Sequence, residues 1–165
     1  MRLYGREHPI PRLQCWMGDA HATYRYSGLL LKPVPWHEDV LALRDYIASL
    51  CGHSFNAVLI NLYRNGNDRR GWHSDDEEEL GARPWIASYN LGATRDFTFR
   101  RRGQTRIAQS LALGHDELLL MSPEVQHGWQ HALPACLRVH APRINLTFRR
   151  IIEKQENGAV SPLSG

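Results

Sequence analysis

The chain has 165 residues, 42% of them hydrophobic, and a net charge of +3, which suits one domain with a sizeable core. All but two of its 20 basic residues, Lys32 and Lys154, are arginine, a bias that fits either an anionic partner such as nucleic acid or a genome rich in G and C. The absence of any run of about 18 apolar residues excludes a membrane-spanning helix, and three widely spaced cysteines exclude a disulfide framework and a zinc motif.

Residues 1–35 alternate apolar and polar types around several prolines and glycines, which predicts short strands or hairpins. Tyr4, Tyr24 and Tyr26 lie there among arginines that include Arg12. Aromatic side chains between arginines suit base stacking and phosphate contact. A small aromatic cluster at the edge of a sheet explains the same pattern equally well.

The segment 36–50 predicts one packed helix, preceded by Pro35 and followed by Gly52. Its apolar residues recur on one face at helical spacing: Trp36, Val40, Leu43, Ile47 and Leu50. We assign this face to packing and give it no chemistry.

From residue 56 onward, short runs rich in β-branched and aromatic residues alternate with glycines. The predicted strands are 56–63, 70–75, 85–91, 96–101, 105–110, 116–121, 126–132 and 142–150. Strands of this length and spacing indicate a mainly β fold, either a sandwich or a jelly-roll barrel. The polar residues 152–165 predict a flexible tail.

His73 and Asp75, separated by one residue, are the first candidate metal ligands. In an extended segment their side chains point to the same face, so a nitrogen and an oxygen converge on one point. One more imidazole would complete the two-histidine, one-carboxylate set that holds non-haem Fe(II). A tripeptide of this kind usually occurs by chance on a solvated loop, so the rest of the chain has to supply the third ligand.

Four later histidines are candidates for that third ligand: His115, His127, His131 and His140. His131 lies just upstream of the last predicted strand, and an antiparallel neighbour would carry it to the same pocket. In that last strand one face is polar and the other apolar, and an earlier strand places Asn61 and Tyr63 on one face. Two such strands predict a polar pocket inside a barrel, whereas a single surface strand would leave its polar residues in water.

Together these motifs resemble the AlkB family of Fe(II)/2-oxoglutarate dioxygenases, which repair alkylated nucleobases by oxidative demethylation. The similarity covers residues 3–150 and includes the motifs Asn61-x-Tyr63 and His73-x-Asp75, then His131 and the segment 143–149. The segments 55–63 and 95–100 most resemble the duplex-DNA repair branch. The resemblance implies a double-stranded β-helix (jelly-roll) domain over residues 1–151, with nucleotide-recognition hairpins in residues 1–35.

The resemblance also implies site residues. The implied Fe(II) ligands are His73, Asp75 and His131. The implied 2-oxoglutarate residues are Asn61, Tyr63, Arg143, Asn145 and Arg149. The implied substrate residues are Tyr4, Arg12, Tyr24, Tyr26, Trp72 and Glu77.

Within these sets the resemblance assigns particular roles. Arg143 would pair with the distal carboxylate of 2-oxoglutarate, and Arg149 would lie near its metal-chelating end. Glu77 would contact the exocyclic amine of the damaged base, on which Tyr26 or Trp72 could stack. Residues 3–5, with Tyr4 among them, match the tip of a hairpin that wedges into the DNA helix.

The implied reaction consumes O2 and 2-oxoglutarate and releases succinate, CO2 and formaldehyde. Its substrates would be N-alkylated bases in DNA, such as 1-methyladenine and 3-methylcytosine, and the same chemistry on RNA is an alternative. Residues 100–104 form a shorter loop, and Cys136-Leu137-Arg138 a less basic triplet, than in duplex-repair relatives. The sequence therefore leaves single-stranded and double-stranded DNA open, and a non-catalytic nucleic-acid-binding barrel is the rival hypothesis.

Residues near the N-terminus include no apolar stretch typical of a secretory signal. We therefore expect an intracellular protein, cytoplasmic in a bacterium and nuclear in a eukaryote. We also expect a monomer.

Overall fold

The computed structural model describes residues 2–3, 6–7, 11–26 and 29–152, with side chains at 11–24 and 30–152. Antiparallel strands dominate these residues, as the sequence predicts. The strands are β1 (Arg2–Leu3), β2 (Arg6–Glu7), β3 (Leu13–Gly18), β4 (Tyr24–Tyr26), β5 (Leu29–Leu31), β6 (Ala57–Tyr63), β7 (Arg70–His73), β8 (Ile86–Gly92), β9 (Arg95–Arg101), β10 (Gln109–Leu113), β11 (Glu117–Met121), β12 (Trp129–Leu133) and β13 (Arg143–Arg149). The helices are α1 (Glu38–Cys51), α2 (Pro123–Gly128) and a 3-10 turn at Glu78–Leu80.

Two antiparallel sheets form the barrel. One has four strands in the order β10-β9-β12-β7, and the other has five in the order β11-β8-β13-β6-β3. Strands β1 and β2 pair with each other, as do β4 and β5, outside these sheets. The arrangement confirms a jelly-roll fold with N-terminal strand pairs.

The central strand of the five-stranded sheet, β13, has two different faces because side chains alternate along a strand. Leu146 and Phe148 pack against Ile47 of α1 and Val58 of β6. On the opposite face the polar residues are buried as well, with exposures of 3% for Arg143 and 2% for Arg149. A surface strand is therefore excluded, and the polar pocket predicted from the sequence lies inside the barrel.

Helix α1 covers the outer face of this sheet. It begins two residues later than predicted and ends one residue later. His37 is its N-cap and accepts a hydrogen bond from the Asp39 backbone N–H. Gly52 ends the helix with a φ of 71°, a left-handed conformation that glycine adopts without strain. Leu50, predicted on the packing face, is 59% exposed because the buried stripe continues to Cys51 instead.

Two strand predictions need correction. The predicted strand 126–132 divides between α2 and β12, because Pro123 follows Ser122 and begins a helical turn. The predicted strand 105–110 is found at β10, which pairs with β9 from Gln109 onward. Ile107, part of the pattern that suggested the earlier position, is 52% exposed in the loop before β10.

Several predictions fall outside the described residues. Tyr4 and Gly5 of the hairpin tip, the side chain of Tyr26, and residues 153–165 of the predicted tail belong to this group. Over the described part of the chain, the helices are all too short or too polar to cross a membrane.

Candidate metal centre and adjoining cavity

Three potential metal ligands meet where β7 pairs with β12. His73 lies opposite His131 in this antiparallel pair, and Asp75 follows β7 by two residues. One ligand atom from each of the three residues lies within 4.8 Å of the other two. The antiparallel neighbour that brings His131 into place is β7, whereas β13 belongs to the other sheet. The remaining candidates, His115, His127 and His140, are exposed and lie outside this cluster.

Hydrogen bonds hold His73 and Asp75, with the intervening Ser74, in position. The Nδ1 atom of His73 donates to the Gly71 carbonyl at 2.8 Å, which leaves the lone pair of Nε2 available for a metal. The Asp75 backbone N–H donates to Oε1 of Gln126 at 3.0 Å. The Ser74 hydroxyl donates to the Trp129 carbonyl at 2.6 Å. These bonds tie the segment after β7 to α2 and to the start of β12.

Arg149 forms an ion pair with Asp75, one of the three potential ligands. Its Nη2 atom lies 2.6 Å from Oδ1 of Asp75, and both side chains are almost fully buried. Burial alone would raise the pKa of Asp75, but Arg149, His131 and His73 together lower it below its usual value. Burial, followed by the neighbouring His131, lowers the pKa of His73 well below its usual value. Asp75 is therefore charged and His73 neutral at neutral pH, the forms that bind a metal.

This donor set fits Fe(II). Two imidazoles and one carboxylate form the set that non-haem iron enzymes use, with open positions for other ligands. Among the described residues, no acceptor lies within hydrogen-bonding distance of Nε or Nη1 of Arg149, or of Nε of Arg143, although all three atoms are buried. Buried donors without acceptors are rare in folded proteins, so these guanidinium groups suit the carboxylates of a bound dianion.

A cavity adjoins the cluster and is lined by the inner faces of both sheets. Its polar lining beyond the three ligands is Asn61, Tyr63, Arg70, Ser88, Asn145, Thr147 and Arg149. Four of these residues were predicted from the sequence to bind the cosubstrate. The structure thus brings the predicted metal residues and most of the predicted cosubstrate residues to one cavity.

Arg143 adjoins this cavity through Tyr63, one of the lining residues. It is opposite Tyr63 in the β13–β6 pair, and its Cζ atom is 5.7 Å from the centre of the Tyr63 ring. Its Nη2 atom donates to Oδ1 of Asn90, which also accepts from Nδ2 of Asn145 at 3.0 Å. Burial lowers the pKa of Arg143 to about 10, so the side chain stays charged at neutral pH.

Two of the predicted substrate residues lie beside the metal cluster. Tyr24 stacks on Trp16 with ring centres 4.8 Å apart, and Cζ of Arg149 lies 5.4 Å from the Tyr24 ring. Tyr24 and Glu77 lie close enough that each affects the pKa of the other. Burial raises the pKa of Tyr24 and of Glu77 above their usual values.

Two other predicted substrate residues are placed elsewhere. The Trp72 ring is covered by Arg100, whose Cζ atom is 4.4 Å from the ring centre, and Trp72 does not line the cavity. Arg12 is buried and donates from Nε to Oδ1 of Asn61 at 2.9 Å. It therefore supports the cavity wall through Asn61.

The sequence analysis missed four residues that shape the site: Arg70, Ser88, Asn90 and Gln126. Ser88 and Asn90 alternate with apolar residues along β8, the same signal that identified the polar faces of β6 and β13. Gln126 lies on the helix that was predicted to be a strand. Arg70 carried no recognisable signal.

A jelly-roll barrel with two histidines, a carboxylate and buried arginines around one cavity defines a non-haem iron oxygenase of the 2-oxoglutarate type. A family model described as the 2OG-Fe(II) oxygenase superfamily matches residues 1–149. The chain belongs to this superfamily and, by its relatives, to the AlkB family within it.

The chain is 43% identical over 159 residues to the DNA oxidative demethylase ALKBH2 of Mus musculus, covering 92% of this chain and 66% of that protein. It is 44% identical over 159 residues to ALKBH2 of Homo sapiens, with 92% and 61% covered. It is 43% identical over 150 residues to the alpha-ketoglutarate-dependent dioxygenase alkB homolog 3 of Bos taurus, with 86% and 52% covered. The chain thus spans only part of the length of these curated relatives.

A solved structure titled "The structure of OsALKBH1" is similar with a TM-score of 0.60 at 18% identity, covering 83% of this chain and 77% of that chain. At this identity the similarity shows a shared fold.

Proposed function

We propose that this protein is an Fe(II)/2-oxoglutarate-dependent oxygenase that removes N-methyl groups from damaged DNA bases such as 1-methyladenine and 3-methylcytosine. The observation that carries the proposal is the buried cluster of His73, Asp75 and His131 beside a cavity with buried arginines. The names of the ALKBH2 relatives support DNA as the substrate.

In this proposal His73, Asp75 and His131 hold the iron, and the ion pair with Arg149 keeps Asp75 charged before the metal binds. Bound Fe(II), together with 2-oxoglutarate and O2, supplies the oxidising power to hydroxylate a C–H bond. The three protein ligands leave open positions on the metal for those two reactants. Asp75 and His131 are 1% and 2% exposed, which limits the access of bulk water to their side of the metal site.

The cosubstrate would be held at both ends. Arg143 pairs with the distal carboxylate of 2-oxoglutarate, and its charge selects a diacid over a monoacid. Asn61, Tyr63 and Asn145 provide polar contacts along the cavity, and Arg149 lies near the metal-chelating end. Asn90 and Tyr63 position the guanidinium of Arg143.

The damaged base would be held beside the metal. Glu77 attracts a cationic methylated base, and the Tyr24 side chain lies close to it. Such lesions cannot form Watson–Crick pairs, so they cost less to extrude from a duplex. After hydroxylation of the N-methyl carbon, the C–N bond breaks, the hydroxyl proton leaves, and the nitrogen keeps the electron pair. The products are formaldehyde and the normal base.

The test is a demethylation assay on methylated single-stranded DNA, duplex DNA and RNA at one fixed salt concentration, since phosphate contacts depend strongly on salt. Formaldehyde release should require Fe(II), 2-oxoglutarate and O2. Asp75→Ala should abolish it, whereas Asp76→Ala should keep it, because Asp76 is exposed and lies outside the cluster. Retained turnover in Asp75→Ala would contradict the iron assignment. Binding of methylated DNA that is independent of iron, without turnover, would favour a non-catalytic module.

We further propose that the protein works as a monomer inside the cell, in the cytoplasm of a bacterium or the nucleus of a eukaryote. Cys15, Cys51 and Cys136 are free thiols, which fits a reducing compartment. Size-exclusion chromatography tests the monomer, and fluorescence microscopy of a tagged protein tests the location.

A further inference from the structure

A β-bulge in β7 aims two side chains into the same cavity. In the β7–β12 pair His73 is opposite His131 and Arg70 is opposite Leu133, so three steps along β7 match two steps along β12. In a regular strand, residues three apart point to opposite faces. The extra residue in β7 removes this alternation, and Arg70 and His73 both line the cavity.

Arg70 brings a positive charge close to the metal cluster. Its titratable neighbours are Arg12, Asp75, Arg149 and Glu77, whereas those of Arg143 are Tyr63 and Arg95. Arg70 therefore lies in the cavity near the metal cluster, whereas Arg143 lies against Tyr63 of the cavity lining. Burial lowers the pKa of Arg70 to about 10, so it remains a cation at neutral pH.

The charge balance at the metal end leaves room for an anion. Arg149 and Asp75 already offset each other in their 2.6 Å ion pair. Near Arg70, Arg12 is a further cation and Glu77 a further anion, so three arginines face two carboxylates at this end of the cavity, and a metal ion would add more positive charge. A carboxylate that chelates the metal through one oxygen has a second oxygen that can accept a charge-assisted hydrogen bond.

We propose that Arg70 is a specificity-determining residue that contacts the metal-chelating carboxylate of the 2-oxo acid, while Arg143 holds the distal carboxylate. This inference rests on the proposed function, because it takes 2-oxoglutarate as the occupant of the cavity. It predicts that Arg70 affects the binding of any 2-oxo acid, whereas Arg143 affects only acids that have a second carboxylate.

The experiment measures binding without turnover. Anaerobic calorimetry on the Fe(II)-loaded protein would give dissociation constants for 2-oxoglutarate and for pyruvate, which keeps the 2-oxo acid end and lacks the second carboxylate. Arg70→Met should weaken the binding of both by a similar factor, about tenfold to a hundredfold for a lost charge-assisted hydrogen bond. Arg143→Met should weaken 2-oxoglutarate and leave pyruvate nearly unchanged.

The neighbouring Arg69→Met is the matched control, because Arg69 is exposed while its backbone makes the local contacts. Arg70→Lys should bind both acids more tightly than Arg70→Met, since it keeps the charge. Arg70→Gln replaces Arg70→Met if thermal unfolding shows that the methionine variant is not folded.

Two outcomes would overturn the inference: unchanged binding of both acids by Arg70→Met, or weakened binding of 2-oxoglutarate alone. If Arg70→Met leaves the binding of both acids unchanged and alters only the affinity for methylated DNA, Arg70 contacts the base instead. If the unmodified protein with Fe(II) bound neither acid, the proposed function itself would fail. That result is distinct from normal binding by both the unmodified protein and the Arg70 variant.

Discussion

Arg149 and Asp75 form a buried ion pair in which Nη2 and Oδ1 are 2.6 Å apart and the side chains are 3% and 2% exposed. The acid is also one of the three potential metal ligands. Asp75 therefore has one positive partner built into the chain and a second one that arrives with the metal. The free energy of folding and the affinity for metal are coupled through this carboxylate.

Replacing Arg149 by methionine should make stability depend strongly on metal. Without the arginine, a buried carboxylate is left uncompensated, which typically costs about 3 kcal/mol or more. A bound metal ion supplies the missing positive charge and should restore much of this loss. Thermal unfolding with and without Mn(II) measures the effect, and the metal-induced rise in Tm should be larger in Arg149→Met than in the unmodified protein.

Arg150→Met is the control for this prediction, because Arg150 is adjacent and exposed, and its Nη1 donates to the Ser54 hydroxyl. It should leave the metal-induced rise in Tm unchanged. An equal rise in all three proteins would show that Arg149 does not compensate Asp75.

Asn90→Ala should raise the KM for 2-oxoglutarate about tenfold, with a much smaller change in kcat at saturating cosubstrate. Asn90 is fully buried, and its Oδ1 accepts from both Arg143 and Asn145. Losing this acceptor frees Arg143 from its position, so ground-state binding of the distal carboxylate weakens by about the value of one charge-assisted hydrogen bond. Steady-state kinetics with varied 2-oxoglutarate measures the effect, with exposed Asn67→Ala as the control. A fall in kcat without a change in KM would contradict a positioning role.

Alternation along the strands made much of this site predictable. In β13 every second residue from Arg143 to Arg149 is polar, and all four of these residues are buried on the cavity side. The same alternation along β6 places Asn61 and Tyr63 on one face, which the structure turns toward the cavity. His73 and Asp75 needed no knowledge of the fold, because an extended His-x-Asp places its own ligands together.

The residues that escaped prediction depend on irregular backbone. Gln126 holds Asp75 only because Pro123 starts a helical turn in a segment whose composition favours a strand. Arg70 reaches the cavity only because β7 carries a bulge, and the register between strands is set by tertiary pairing. Local pattern specifies a regular strand well, but it does not specify where the strand departs from regularity.

Gly66→Ala should destabilise the protein by about 2 kcal/mol or more, since overpacking against rigid backbone has no easy relief. A Cβ at this position would overlap the carbonyl oxygen of Cys136 and lie 2.9 Å from that of Val139. Gly66 also exchanges backbone hydrogen bonds with both residues, at 2.8 Å and 2.7 Å. Chemical denaturation measures the loss. Gly128→Ala is the control, because a Cβ there meets no heavy atom within 4 Å, and similar losses in both variants would argue against the close approach.

The stabilising effect of Asp68 should disappear in acid. Hydrogen bonds from the Arg64 side chain lower the pKa of Asp68 below its usual value, although burial partly opposes them. A carboxyl whose pKa is lower in the folded state stabilises the protein above its unfolded pKa of about 3.9, and this contribution is lost as the pH falls through the folded pKa.

Asp68→Asn should therefore lower Tm at pH 7, and the difference from the unmodified protein should shrink steadily below about pH 4. Thermal unfolding at several pH values measures it. Asp45→Asn, an exposed acid on α1, is the comparison for non-specific charge effects. A difference that stays constant into acid would mean that the Asp68 charge does not contribute.

Arg101→Ala should weaken binding to DNA and make it less sensitive to salt. Arg101 lies over the Trp129 ring at 4.4 Å, opposite Trp129 in the β9–β12 pair that leads to His131. This stacking holds an exposed cation near the metal end of the barrel, where a phosphate of the substrate strand would pass. Removing one phosphate contact should reduce the slope of log K against log salt by about 1.

The matched control is Arg44→Ala, because Arg44 also lies over a tryptophan, Trp36, at 5.1 Å, but on α1 at the outer face of the five-stranded sheet. Fluorescence anisotropy with a labelled methylated oligonucleotide at several salt concentrations gives both slopes. The slope for Arg44→Ala should match that of the unmodified protein, because phosphate neutralisation depends on where a cation lies and not on its stacking partner. Equal slopes for Arg101→Ala and the unmodified protein would mean that the DNA follows another face of the barrel.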